Sequence, residues 1–238
     1  EEKFTMKLKK IASLMLAGVM AVSMLAGCSG KTETKPEGEG NGEGTTASGY
    51  SAVLAENLSA DAKKDYITYQ DNASDVAALE DALGNLGSVT TGGSTILPTL
   101  VCVDGPNKGV NGWTGLDLMI EDFIDNAKLY GTDIDESDLS FVWCQNKDTN
   151  VVVKDATLYA IDGTVDANKA VKQVASRLDQ YLSKLPKESD KTMANGNHYT
   201  YDYTVSVSVV NKPVTVIDGY HASANFIAVT VTRVPTAA

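Results

Sequence analysis

Residues 29–49, which read SGKTETKPEGEGNGEGTTASG, contain no apolar side chain larger than that of Ala47 apart from the ring of Pro36, and six of these twenty-one residues are glycine. A segment of this composition cannot bury enough apolar surface to offset the conformational entropy lost on folding. We expect a flexible linker with a root-mean-square span of about 25 Å, at ~5–6 Å times the square root of its length. A packed core must therefore come from residues 50–238, which are long enough for one domain.

A short uncharged run stands directly before this linker. Three lysines within residues 7–10 are followed by fifteen residues without charge, 11–25, fewer than the roughly 20 apolar residues that a membrane-spanning helix needs. A basic start and a short apolar middle are typical of a secretory signal peptide. Residues 1–5 (EEKFT) put two glutamates ahead of that basic start, so we interpret them as a misplaced start and expect translation to begin at Met6.

The end of the apolar run, Leu-Ala-Gly-Cys at residues 25–28, resembles the lipobox of bacterial lipoproteins. In that family the cysteine thiol is joined to a diacylglycerol and the chain is cut before it. The resemblance covers residues 6–28 only and implies that Cys28 is lipidated, with a signal peptide over 1–27 and the linker within 28–49. A core cysteine in a buried helix is the competing interpretation, which is disfavoured because the segment that follows cannot pack.

The charge balance limits the partners of the mature chain. Without residues 1–28, sixteen basic and twenty-nine acidic residues remain, a net charge of −13. Such a surface repels phosphate backbones, and no basic cluster with interleaved aromatic residues is present, so nucleic acid is not a predicted partner. Anionic headgroups repel the chain too, so acyl chains on Cys28 must hold it to the membrane, at the outer (extracytoplasmic) face.

Residues 50–238 carry both helical and strand patterns. They predict a single α+β domain in which about three helices pack on a largely antiparallel sheet. The helix signals lie at residues 74–87, 115–131 and about 166–185, the first with Ser74 as its N-cap and Gly87 as its stop. The strand signals lie at residues 98–105, 139–144, 157–163, 198–210, 213–219 and 224–234.

The clearest strand signal is the alternation over residues 198–210. The odd-numbered residues from Tyr199 to Val209 are all Tyr or Val, and the even-numbered residues from His198 to Ser208 are all polar. The alternation predicts one buried face and one face in water. Together with 213–219 and 224–234, it predicts an antiparallel meander.

Carboxylates at strand ends and in one acidic stretch raise the question of a metal site. Three predicted strands end in Asp-Gly, at 104–105, 162–163 and 218–219. We interpret these as turns, because Asp bonds nearby backbone amides and Gly supplies positive φ. The acidic stretch 133–138 lacks the glycine and the distal glutamate of an EF-hand loop, so no metal site is predicted.

The catalytic signals are few. His198 and His221 are the only histidines, and no G-x-S-x-G elbow or H-E-x-x-H helix accompanies them. The nucleotide-binding glycine motifs are also absent, so no cofactor is predicted. The sequence therefore favours a binding or interaction module of the bacterial cell envelope, whose partner is an envelope protein or a glycan. A small cell-envelope hydrolase is the alternative, since a catalytic triad assembles in space rather than in sequence.

Cys102 and Cys144 remain once Cys28 carries lipid, and each lies near the end of a predicted strand. An even number of cysteines outside the cytoplasm favours a disulfide. Closing a loop of about forty residues would contribute ~4 kcal/mol. Two buried thiols in a protein from an anaerobic habitat are the alternative.

The loop at residues 105–115 (GPNKGVNGWTG) gives the most specific binding-site prediction. Trp113 in this loop is one of only two tryptophans. The hydrogen-bonding side chains near it are Asn107, Lys108 and Asn111. An exposed tryptophan among such groups suits stacking on a sugar ring or anchoring a protein partner. The alternative is that Trp113 folds back as a lid on the core.

Overall fold

Five strands form one mixed sheet in the part of the chain that the structure, a computed structural model, describes. The strands run in the order β1-β4-β5-β3-β2. β1 pairs in parallel with β4, and the other neighbours pair antiparallel. All described residues fall in one compact unit, Gly44–Ala238, and the predicted α+β class is confirmed.

The described ranges are 49–86, 99–103, 115–131, 140–148, 150–190, 196–215 and 221–238. The strands are β1 (Ile67–Tyr69), β2 (Val101–Cys102), β3 (Val153–Asp162), β4 (Tyr199–Thr215) and β5 (His221–Ala237).

Five α-helices and one 3-10 turn, Ala60–Ala62, accompany the sheet within these ranges. Three of the helices match the sequence prediction in position. The first of them is capped by Asn72, whose side chain accepts from the Ser74 N–H, and not by Ser74 itself, and it ends at Leu83 with Gly84 as its C-cap and not at Gly87. Nowhere in the described ranges is a helix both long enough and apolar enough to cross a membrane. The helices are α1 (Gly49–Glu56), α2 (Ala73–Leu83), α3 (Leu116–Ala127), α4 (Val142–Gln145) and α5 (Ala167–Leu182).

Helices cover both faces of the sheet. α1 and α5 bury Leu54, Val174 and Leu178 against the face that carries the odd-numbered side chains of β4, which we call the first face. α2 and α3 bury Leu79 and Phe123 against the opposite face, the second face. Each helix presents a stripe of apolar side chains to the sheet, so the fold is three layers with a core on either side.

The prediction of a solvated second face is right for only part of β4. Asp202 and Thr204 are exposed, as expected. Ser206 and Ser208 are buried, because α2 and α3 pack over this half of the strand. The Asn72 N–H donates to Ser206 Oγ at 3.0 Å, which ties the start of α2 to the sheet.

The predicted C-terminal meander is a single long hairpin instead. β4 and β5 are seventeen residues each and pair from Tyr199 opposite Ala237 to Thr215 opposite His221. Residues 213–215, expected to open a separate strand, are the last residues of β4. β4 and β5 are paired with each other along their whole length, so no separate strand lies between them in the sheet.

The strand predicted at residues 139–144 is also wrong, since this segment forms the one-turn helix α4. Phe141, the residue before α4, has left-handed backbone angles, φ 62° and ψ 36°. That conformation is uncommon for a bulky residue and cannot be continued as a strand. Its side chain is nonetheless fully buried in the core on the first face.

Candidate functional site

The binding loop predicted from the sequence lies outside the described residues. Trp113, Asn107, Lys108 and Asn111 all fall within residues 104–114. Cys28 also lies outside the described ranges. Lipidation of Cys28 and ligand binding at Trp113 therefore stay predictions.

At residues 162–163, the Asp-Gly step that the structure describes, the predicted hydrogen bonding by Asp is confirmed, but Gly163 does not have the predicted positive φ. Asp162 Oδ1 accepts from the N–H of Thr164 at 2.8 Å and from its hydroxyl at 2.5 Å. Both hydrogen bonds lower the pKa of Asp162, and the one from the Thr164 hydroxyl has the larger effect. A Cβ on Gly163 would lie 2.0 Å from Ser223 Oγ, so the close approach of β5 requires glycine here. The other two Asp-Gly steps lie outside the described ranges.

Carboxylates and histidines do not assemble into a metal site in the described part of the chain. There, no three or more His, Cys, Asp or Glu side chains come close enough together to hold an ion. The acidic stretch 133–138 lies outside these residues.

The structure does not bring Cys102 and Cys144 together. Cys102 lies opposite Tyr159 on β3, whereas the Cys144 sulfur lies 4.0 Å from the carbonyl oxygen of Val153 on the same strand. Six positions along a strand correspond to about 20 Å. A disulfide needs Cα atoms within roughly 7 Å of each other. Both cysteines are buried in the core, and this placement is incompatible with the predicted disulfide.

His198 contacts a carboxylate but lacks the geometry of a catalytic site. Its Nε2 lies 3.3 Å from Glu188 Oε2, yet this contact does not form a hydrogen bond. The neighbouring hydroxyl, Ser189 Oγ, accepts from the Tyr199 N–H at 3.0 Å. Nucleophilic catalysis needs a hydroxyl or thiol within reach of the imidazole, and the contacts of His198 among the described residues include none. His221 begins β5.

Two exposed aromatic side chains meet beside the edge of β3. The rings of Tyr130 and Trp143 are 5.3 Å apart between centroids and inclined at 63°, an edge-to-face contact. Tyr130 is 46% exposed, Trp143 is 41% exposed and the adjacent Val142 is 44% exposed. The Tyr130 N–H donates to the carbonyl of Lys154 at 2.7 Å, which fixes the ring pair at this edge. We call Tyr130, Val142 and Trp143 the aromatic edge.

Glycine allows the two segments of the aromatic edge to approach closely. A Cβ on Gly131 would lie 2.7 Å from Trp143 Nε1, so any larger residue would push the indole away from Tyr130. Val151 and Val152, which directly precede β3, are also exposed. This end of the sheet therefore presents aromatic and aliphatic groups to solvent.

A buried carboxylate lies below the start of the helix that carries Trp143. Asp155 on β3 is 3% exposed. Its Oδ2 accepts from the N–H of Trp143 at 3.0 Å and from the N–H of Cys144 at 3.4 Å. These are among the first N–H groups of α4, which have no acceptor within the helix. A carboxylate at this position is favourable, because the positive end of the helix dipole faces it.

A buried guanidinium lies at the other end of the same helix. Arg233 on β5 is fully buried, and its Nη1 donates to the carbonyls of Cys144, at 3.2 Å, and of Asn146. The Cζ of Arg233 lies 4.4 Å from the ring centroid of Tyr201, within range of a cation–π interaction. Charged hydrogen-bonding groups therefore occupy both ends of α4.

Sequence reasoning missed the aromatic edge for an identifiable reason. It placed Trp143 in a strand and selected Trp113, the other tryptophan, as the binding residue. Short apolar runs such as residues 139–144 do not distinguish a strand from a helical turn by periodicity. The hydrogen-bonding partners of α4, Asp155 and Arg233, lie outside the segment whose pattern is read: Asp155 comes 12 residues after Trp143, and Arg233 comes 89 residues after Cys144.

Comparison of the chain with protein-family models, with curated proteins and with solved structures gives no match. The contacts and exposures of the described residues are therefore the basis for a functional proposal.

Proposed function

We propose that the chain is a lipid-anchored lipoprotein at the extracytoplasmic face of a bacterial membrane. Its folded domain acts there as a binding or interaction module of the cell envelope, with an envelope protein or a glycan as its partner. The lipobox at residues 25–28 supports the anchor. The polar linker that follows supports a domain tethered close to the membrane.

The aromatic edge is the observation that carries the binding function. Tyr and Trp are the residues most enriched at the energetic centres of interfaces, because a rigid ring supplies a large contact area and a polar group in one side chain. Tyr130 and Trp143 hold each other in place and remain nearly half exposed. Exposed apolar groups gathered at one place on a surface mark interaction sites more often than isolated ones do.

The hydrolase alternative receives no comparable support. The imidazole of His198 lies beside Glu188, but the Ser189 hydroxyl oxygen accepts from the Tyr199 N–H and makes no contact with that imidazole among the described residues. A binding surface fits the described residues better than a catalytic one.

Metabolic labelling tests the anchor. Wild-type cells fed radioactive palmitate should incorporate label into the protein, and the Cys28→Ala variant should not, because it lacks the thiol that accepts the lipid. Immunoblots of both proteins control for expression. A wild-type protein that takes up no label would remove the anchor from the proposal.

A matched pair of variants tests the aromatic edge. Trp143→Ala should reduce recovery of the partner from native membranes, or cosedimentation with purified cell wall, by about tenfold or more, the effect of losing a binding hot spot. Leu118→Ala removes an apolar side chain that is more exposed than Trp143, 59% exposed on α3, and should change recovery less than about twofold. Equal recovery with the two variants would rule out the aromatic edge as the contact surface.

A further inference from the structure

The helix α4 cannot hold its own position. It has four residues, far fewer than an isolated helix needs to be stable in water. It also starts from Phe141, whose left-handed backbone is unfavourable for a side chain of that size. Groups outside the helix must therefore hold it against the sheet.

Asp155 and Arg233 supply those groups from neighbouring strands. In the β3–β5 pairing Asp155 lies opposite Val231 and Arg233 lies opposite Val153, so the two charged residues are diagonal neighbours on the first face. Asp155 binds the N–H groups at the start of α4, and Arg233 binds the carbonyls at its end. Hydrogen bonds with one ionised partner are shorter and stronger than neutral ones.

We infer that Asp155 and Arg233 are positioning residues for the aromatic edge, an inference that rests on the proposed binding function. Neither side chain contacts a partner, because both are buried. They act through α4, whose backbone they fix so that Cys144 points into the core and Trp143 stands outward against Tyr130. Without Asp155, the start of α4 loses its acceptor. Without Arg233, the end of α4 keeps the hydrogen bond from the Tyr203 hydroxyl to the Cys144 carbonyl, at 3.3 Å, but loses its charged donor. In either case the indole is held less firmly.

The spectroscopic signature of Trp143 tests this inference. In the full chain carrying Trp113→Phe, Trp143 is the only remaining tryptophan, so indole emission and acrylamide quenching report on the aromatic edge alone. Asp155→Ala and Arg233→Ala should each change the quenching constant by about twofold or more and shift the emission maximum. Asp155→Asn, which keeps an acceptor oxygen, should restore most of the wild-type signature.

Asn225→Ala is the matched control. Asn225 is a buried side chain on β5, eight positions from Arg233, and it too donates to a backbone carbonyl, that of Val165 at 2.8 Å. This variant should lower stability and leave the Trp143 signature unchanged. If Asp155→Ala or Arg233→Ala fails to fold by circular dichroism, Asp155→Val and Arg233→Met replace them, because an apolar side chain of comparable size removes the hydrogen bonds without opening a large cavity. In that case each replacement must alter the quenching constant more than Asn225→Ala does.

The outcomes separate this inference from the proposed function. An unchanged Trp143 signature in the folded Asp155→Ala and Arg233→Ala variants, or in the variants that replace them, would overturn the positioning role. The partner-recovery test with Trp143→Ala would still stand. A changed signature together with normal partner recovery by Trp143→Ala would keep the positioning role and remove the binding function of the aromatic edge.

Discussion

Lys154 on β3 and Asp75 in the first turn of α2 form a partly buried ion pair, with 2.5 Å between Nζ and Oδ1. The second oxygen of Asp75 accepts from the hydroxyl of Thr230 on β5, also at 2.5 Å. One carboxylate thus joins a helix to two adjacent strands on the second face. Since Asp75 is 1% exposed, water cannot replace either partner.

Removing that carboxylate should be costly. Asp75→Ala leaves the partly buried Lys154 ammonium and the buried Thr230 hydroxyl without their partner, so we expect the free energy of unfolding to fall by about 2–3 kcal/mol, measured by urea denaturation. Asp202→Ala, at an exposed carboxylate on the same face, should change it by less than about 0.5 kcal/mol. The double variant Asp75→Leu with Lys154→Met should regain most of the loss. Similar values for the Asp75 and Asp202 variants would contradict the buried pairing.

Alkaline pH should destabilise the domain through its buried tyrosines. Burial raises the pKa of Tyr159 to about 12 and raises the pKa values of Tyr69 and Tyr203 as well. The unfolded chain loses these protons near pH 10, about the pKa of a free phenol. The folded state then binds more protons than the unfolded state, so the free energy of unfolding falls as the pH rises from about 10 towards about 12.

Tyr159→Phe provides the measurement for this prediction. It removes one titrating group, so the slope of the unfolding free energy against pH above about pH 10 should become less steep by at most about 1.4 kcal/mol per pH unit. Denaturant titrations at several pH values give the slope. An identical slope in the variant would show that Tyr159 ionises equally in both states.

Acid should weaken the turn at Asp162. Because its two hydrogen bonds from Thr164 lower the pKa of Asp162, its ionised form stabilises the folded state above the unfolded pKa, about 3.9. That contribution is lost as the pH falls through the folded-state pKa. The stability difference between wild type and Asp162→Ala should therefore shrink between about pH 6 and about pH 2. A difference that stays constant over this range would show that the charge is unimportant.

Trp113 remains a separate prediction from the sequence. We expect Trp113→Ala to weaken partner or glycan binding while lowering the melting temperature little, because an exposed ring contributes more to binding than to folding. Thermal unfolding and partner recovery measure the two effects. A stability loss of about 3–5 kcal/mol, typical of truncating a core tryptophan, would show that Trp113 is structural.

Strong local periodicity accounts for the parts of the fold that could be predicted. The apolar stripe with Val174 and Leu178 predicts α5, and the alternation from Tyr199 to Val209 predicts β4, because each pattern matches one period over many residues. The same kind of repeated apolar spacing predicts helices α2 and α3.

Long-range contacts account for the parts that could not. The burial of Ser206 and Ser208 depends on α2 and α3, which come from other regions of the chain. The conformation of residues 140–145 depends on Asp155 and Arg233. β1 has three residues, too few for alternation to register. In each case the contact that decides the structure joins the segment to a different helix or strand, and the pattern of residues within the segment carries no information about that contact.

The strand order has a consequence for the time course of folding. The β4–β5 hairpin occupies the middle of the sheet, with β1 on one side and β3 and β2 on the other. β1 and the β2–β3 pair must therefore wait until residues 199–237 have been synthesised before they can join one sheet. A sheet whose central strands follow its flanking strands in the chain has high contact order and forms slowly. A nascent chain that ends before residue 199 can form the β2–β3 pairing, but it cannot assemble the sheet.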